Sequence, residues 1–182
     1  MIKSIKIFIV IIIGICFIHQ EDFFLRLHAR SGIINNLEQT KVIEQDTSIG
    51  KIVIKKIHLE QPLFKINSEF NHVDLNVMVL NSSDYPDKLL HQVFLAAHSG
   101  TSDIAYFKHL DQLKFNDIVE IYYQGTKYQY QIKDIYSIDK TGMMYIDKRE
   151  YAELILITCD KINDNLQIVY RAKLFEKIAD KG

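Results

Sequence analysis

Apolar residues run without interruption from Ile7 to Ile18, and Ile2 and Ile5 extend the run through Lys3, Ser4 and Lys6. Counted from Ile2, the stretch is near the lower limit of roughly 17 residues for a helix that spans a bilayer. Lys3 and Lys6 mark its start, and Glu21 and Asp22 close its far end. Positive charge on the N-terminal side orients such a helix with its N-terminus inside and the body outside. A cleaved signal peptide needs small residues at the cut, and Cys16-Phe17-Ile18-His19-Gln20 offers none. A lipoprotein signal wants small residues just before its cysteine, where Ile15 stands. A buried core helix is the third alternative, although no amphipathic face is visible. The pattern predicts a single-pass membrane anchor over residues 1–20, with the rest of the chain outside the cell membrane.

Residues 21–50 turn polar, with weak helical spacing through Ile33, Ile34 and Leu37, and they read as a stalk or linker. The body, residues 51–182, is rich in strand patterns. Lys51 to Leu59 reads as one strand, and Leu63 to Ile66 as another after a turn at Gln61-Pro62. Val73 to Leu80 is apolar enough for a strand or a short helix. Val93 to Ala97 and Leu154 to Thr158 are short continuous apolar runs, the signature of strands buried on both faces. Ile118–Tyr123, Gln124-Gly125-Thr126 and Tyr128–Ile135 form the clearest hairpin, its second arm alternating Tyr128, Tyr130 and Ile132 with Gln129, Gln131 and Lys133. Gln167 to Phe175 is the last strand. Ile104, Phe107, Leu110 and Leu113 recur at three-residue spacing and predict a helix over Ser102–Leu113. Strands dominate, and the pattern predicts an all-β fold, a small closed or nearly closed barrel with one or two short helices.

Composition sharpens this little. A chain that is 48% hydrophobic with two prolines and seven glycines builds a packed core rather than a disordered coil. A formal net charge of −1 leaves no electrostatic footprint for nucleic acid. Cys16 lies in the anchor, so Cys159 is the lone thiol of the body. His19, His28, His58, His72, His91 and His109 show no metal-ligand spacing, and no phosphate loop or cofactor motif is present.

The candidate chemistry sits where two buried strands stop. Val93-Phe94-Leu95-Ala96-Ala97 delivers His98, and Leu154-Ile155-Leu156-Ile157-Thr158 delivers Cys159. If the two strands are neighbours running the same way, both side chains emerge at one rim. An unassisted thiol is only a few per cent thiolate at neutral pH, and an imidazolium beside it favours the thiolate and supplies a proton to a leaving amine. The bland alternative is a core thiol and a hydrogen-bonded histidine at a strand end, and spacing alone does not decide between them.

Two segments carry a resemblance. LILITC, ending in Cys159, is similar to the TLxTC signature of sortases, and LAAHSG around His98 resembles their histidine-bearing strand end. SDIAYFKHLDQLK and NDIVEIYYQGTKYQYQI also resemble what sortases place between these residues, so that the likeness runs from about Gly50 to Phe175. The body resembles the class A and class D type barrels, without large insertions, and the likeness assigns no class. The resemblance implies an eight-stranded barrel and a cysteine transpeptidase; no cofactor is expected, and the residues themselves show no metal site. Cys159 would attack a C-terminal LPxTG-like sorting signal to form a thioacyl-enzyme. His98 would serve the departing amine and then the incoming amine of a peptidoglycan precursor or pilin lysine. Thr158 and Ala97 would line the groove.

Departures from the family pattern are Ile155 in place of threonine and Ala97 in place of a common glycine. A third touches the chemistry, because sortases carry an essential arginine early in the last strand, five residues before a small residue. Counting back from Ala172 gives Gln167, and Arg171 is the sole arginine after Cys159. Four residues along a strand put Arg171 on the same face as Gln167 but about 13 Å further on. Register favours Gln167; charge favours Arg171, which a bulge would bring to the thiol to complete a set with Cys159 and His98. A papain-like enzyme is excluded by order, since its cysteine precedes its histidine and opens a helix. A cysteine-based L,D-transpeptidase would want small and basic residues beside the cysteine rather than ITCD, and the rival from a different class is a catalytically impaired sortase-like domain that only binds peptide.

Overall fold

The computed structural model describes residues 47–140 and 150–179. The anchor expected over residues 1–20, and the stalk expected over 21–50 up to residue 46, lie outside the described residues. Among those described, no helix is long and apolar enough to cross a membrane.

Eight strands are described: β1 Gly50–Ile54, β2 Leu59–Leu63, β3 Met78–Val79, β4 Gln92–Ala96, β5 Ile118–Tyr123, β6 Thr126–Asp139, β7 Glu153–Cys159 and β8 Leu166–Ala179. They form one sheet in the order β2-β1-β5-β6-β8-β7-β4-β3. Every neighbouring pair is antiparallel except β4 and β7, which run parallel. Side-chain alternation explains the curl. Ile52 and Ile54, Leu59 and Leu63, Val79, Val93 and Leu95, Val119 and Ile121, Tyr130 and Ile132, Leu154 and Leu156, and Tyr170 and Ala172 all join one buried cluster. Each strand contributes to that centre, so the sheet wraps into a nearly closed, all-β barrel with almost no helix.

The β5–β6 hairpin turns on Gln124 and Gly125 with φ of 47° and 68°, the left-handed pair that a two-residue turn between twisted strands demands. Gly50 answers a different need. A Cβ there would sit 2.1 Å from the Tyr122 carbonyl oxygen, so only glycine lets β1 lie this close to β5.

Several expected elements are redrawn. The strand expected over Lys51–Leu59 breaks at a single 3₁₀ turn, Lys55–Ile57, closed by His58 at φ 53°, and returns as β2. Gln61-Pro62 is therefore inside a strand rather than a turn. Pro62 is tolerated because β2 is an edge of the sheet. Val73–Leu80 keeps only the two residues of β3. The helix expected over Ser102–Leu113 is a chain of tight turns ending in one 3₁₀ turn, Leu110–Gln112. Its bonds run from Ala105 N to Ser102 O, Lys108 N to Ala105 O, Leu110 N to Phe107 O and Leu113 N to Leu110 O. A three-residue hydrogen-bond period makes three-residue apolar spacing bury Phe107, Leu110 and Leu113 without an α-helix.

One buried histidine is part of this framework. His91 is fully buried, with Nδ1 2.7 Å from the Lys88 carbonyl oxygen and Nε2 2.6 Å from the Tyr130 hydroxyl. A carbonyl only accepts, so Nδ1 carries the hydrogen and Nε2 accepts from Tyr130. Burial holds the His91 pKa below the ordinary imidazole value, opposed in part by the Lys88 carbonyl. The unfolded chain therefore takes up the proton first as pH falls. The His91 contribution to stability is complete above about pH 6.5 and is lost as pH drops from there towards the depressed folded value. Thermal melts between pH 7.5 and 5 should show a steeper fall for the wild-type protein than for His91→Gln, and parallel curves would exclude this origin.

Candidate active site

β4 and β7 lie side by side in register from Gln92 opposite Glu153 to Ala96 opposite Ile157. The pairing continues past the end of β4, where the Ala97 amide donates to the Ile157 carbonyl at 3.3 Å. Two side chains then fasten the strand ends. Thr158 Oγ1 donates to the Ala97 carbonyl at 2.8 Å, and Ser99 Oγ donates to the Cys159 carbonyl at 2.6 Å. These bonds fix the backbone on both sides of His98 against the backbone of Cys159.

Alternation sets which way the side chains leave. Val93, Leu95, Ala97, Leu154 and Leu156 face the barrel core, while Phe94, Ile155, Ile157 and Val169 form a second buried cluster on the opposite face of the sheet. Cys159 shares parity with Ile155 and Ile157, Gln167 with Val169, and His98 with Phe94. His98 and Cys159 line one cleft of about 550 Å³, together with Ser99, Lys108, His109 and Lys161. Cys159 is a half-buried free thiol. His98 Nε2 lies 2.7 Å from Asp74 Oδ1, a partner that no motif in the sequence announces.

Thr158 and Ala97, expected to line the groove, face inward instead. They are 6% and 4% exposed, and neither is part of the cleft wall. Their parity is that of the core residues, so Thr158 serves as a tether between strands.

The sortase domain profile matches residues 52–175. The chain belongs to the sortase family. Sortases are cysteine transpeptidases, and solved sortase structures share this fold. Sortase C-3 of Streptococcus pneumoniae is 19% identical at a TM-score of 0.65, over 75% of this chain and 66% of that one. Sortase C1 of Streptococcus agalactiae is 22% identical at 0.64, over 71% and 68%. Sortase A of Listeria monocytogenes is 22% identical at 0.62, over 72% and 90%. The match thus spans about two thirds of the length of the two sortase C chains. No curated protein matches.

Against the sortase pattern, the last strand is where this chain differs. β7 and β8 pair without a break from Glu153 opposite Lys173 to Cys159 opposite Gln167. Gln167 is thus the direct cross-strand neighbour of Cys159, while Arg171 stands opposite Ile155. The bulge that would carry Arg171 forward does not occur on this side of β8; the irregularities, at Gln129/Tyr130 and Ile132/Asp134, fall on the β6 side. Arg171 is engaged elsewhere. Its guanidinium donates to Glu153 Oε1 at 2.7 Å and Oε2 at 3.0 Å, and Gln92 Nε2 donates to Oε2 at 3.0 Å. The expectation that Arg171 stands at the thiol is therefore corrected: a buried carboxylate at the far end of β7 holds it.

Glu153 is 4% exposed, and removing Arg171 would strand its charge. Arg171→Ala should lose about 3 kcal/mol of stability, as buried pairs do when one partner is deleted. Urea denaturation checks this, with Arg171→Ala/Glu153→Gln recovering part of the loss because no buried charge then remains.

Proposed function

We propose that this sortase is a membrane-anchored cysteine transpeptidase that cleaves a C-terminal, LPxTG-like sorting signal and passes the acyl group to an amine of a cell-wall precursor or a pilin. One observation carries the reading: the parallel β4–β7 pair brings His98 and Cys159 to a single cleft. Cys159 Sγ attacks the scissile carbonyl, and the C–N bond breaks as His98 gives a proton to the departing amine. The thioacyl-enzyme is then attacked by the acceptor amine, whose proton returns to His98 while the C–S bond breaks and the thiolate leaves. Both half-reactions pass through an oxyanion that needs a positioned donor. The Gln167 side-chain amide, on the strand position facing Cys159, is the donor that register supports. In this reading residues 1–20 anchor the enzyme and the barrel acts outside the membrane.

A second reading has one observation in its favour. With Arg171 committed to Glu153, the site lacks the arginine other sortases use, which suits a domain that binds sorting signals without cleaving them. Incubating the full-length protein with a library of LPxTG-like peptides separates the two, since cleavage and a trappable thioacyl-enzyme are expected only from the transpeptidase.

In that assay Cys159→Ala should abolish cleavage with the fold intact, and His98→Ala should cost at least about a hundredfold in rate. Gln167→Ala should lower kcat/KM by about a hundredfold or more, whereas Gln167→Arg should retain turnover because a guanidinium supplies the same donor. Equal activity of Gln167→Ala and the wild-type protein would remove Gln167 from the mechanism. Deleting residues 1–37 should release the protein from membranes with its peptide cleavage preserved; loss of folding would show that the segment belongs to the core.

A further inference from the structure

We propose that Asp74 is a positioning residue that holds His98 by Nε2, leaving Nδ1 as the nitrogen that exchanges protons in the cleft. The inference rests on the acid/base reading of His98 and adds the atom at which that chemistry occurs. An ionised carboxylate only accepts hydrogen bonds, so at 2.7 Å from Asp74 Oδ1 the His98 Nε2 must carry the hydrogen. In the neutral ring Nδ1 is then bare and ready to take a proton from an incoming amine; in the charged ring Nδ1–H is the hydrogen available to a departing one. Nε2–H stays on Asp74 throughout, and the proton gained in one half-reaction is the proton spent in the other.

Asp74 is placed rather than loosely tethered. It sits in a turn closed by the Leu75 and Asn76 amides, which both donate to the His72 carbonyl at 2.9 Å. Asn71, 5% exposed, suspends that turn from the sheet. Its Nδ2 donates to the Ile66 and Val79 carbonyls, and its Oδ1 accepts from the Val79 amide at 2.7 Å. Val79 pairs with Leu95 on β4, the strand that delivers His98. From the other side the Tyr106 hydroxyl donates to the Leu75 carbonyl at 2.8 Å, on the segment that follows His98. The Asp74 amide itself donates to His72 Nδ1 at 3.3 Å, and Oδ2 faces that same nitrogen at 3.5 Å. Carboxylate and imidazole are thus referenced to the same strand by independent bonds.

Energetics point the same way. The two side chains are 57% and 37% exposed, and ion pairs this open to water add little to stability. What a solvated carboxylate supplies here is ring orientation and a fixed tautomer, as second-row acidic partners of working histidines do.

The test uses two readouts on the full-length protein. Two-dimensional ¹⁵N NMR of the imidazole rings in Cys159→Ala should show His98 in the Nε2–H form when neutral, with the Nδ1–H share rising on adding Asp74→Ala. In the catalytically intact background Asp74→Ala should lower kcat for peptide cleavage by about tenfold or more with KM little changed, and Asp74→Asn, which keeps an acceptor oxygen, should fall between. An unchanged tautomer ratio or an unchanged kcat in Asp74→Ala overturns the proposal. A tautomer shift in a protein whose wild-type form cleaves no peptide sinks the transpeptidase reading and keeps the Asp74–His98 assignment; cleavage without a shift does the reverse.

Discussion

The parallel pairing of β4 with β7 is the constraint on which the site depends. In a sheet whose other neighbours are all antiparallel, adjacent strand ends normally point to opposite rims. Only a parallel pair brings two C-terminal strand ends to the same place. Such a pair needs a crossover, and here β5 and β6 supply it before the chain returns as β7. Both strands are covered on their two faces, by the barrel centre on one side and the Phe94, Ile155, Ile157 and Val169 cluster on the other. A one-residue slip would set every side chain against the wrong packing neighbours, and the Thr158–Ala97 and Ser99–Cys159 bonds pin the register at the strand ends. Histidine and thiol are thereby held by the most deeply buried part of the sheet.

The same physics decides how much the sequence reveals. Strands buried on both faces must be apolar throughout, so VFLAA and LILIT are visible as runs, and the reactive residues stand out because each run stops at one. The β5–β6 hairpin is visible because its turn requires left-handed backbone and uses Gly125. The β1–β2 turn is hidden because His58 adopts that conformation without being glycine or asparagine. Pro62 misleads because proline marks turns and edge strands alike, and nothing local says which strand is outermost. Asp74 is invisible for another reason. It reaches His98 through a loop 24 residues away in sequence, and only the folded arrangement makes the two neighbours.

Arg171 illustrates a conflict between charge and register. A cation near a thiolate is chemically attractive, yet strand pairing moves in whole residues, and the β7–β8 ladder leaves Arg171 four positions from the thiol. Glu153 then claims it, since a carboxylate at 4% exposure is tolerable only with a cation and hydrogen bonds around it. The arginine pairs with Glu153 at one end of β7, while Gln167 occupies the strand position opposite Cys159 at the other. In the proposed reaction, oxyanion stabilisation would rest on a dipole, whose geometry matters more than that of a full charge.

Among the described residues the barrel is not sealed by hydrogen bonds, and the margins of the sheet are β2 and β3. Pro62 takes one amide out of β2, and β3 is two residues long. Neither margin offers the unbroken row of donors and acceptors on which a foreign extended chain could template itself. Short or proline-bearing margins of this kind disfavour strand addition by a foreign extended chain. One proline and one two-residue strand thereby guard the margins of the sheet.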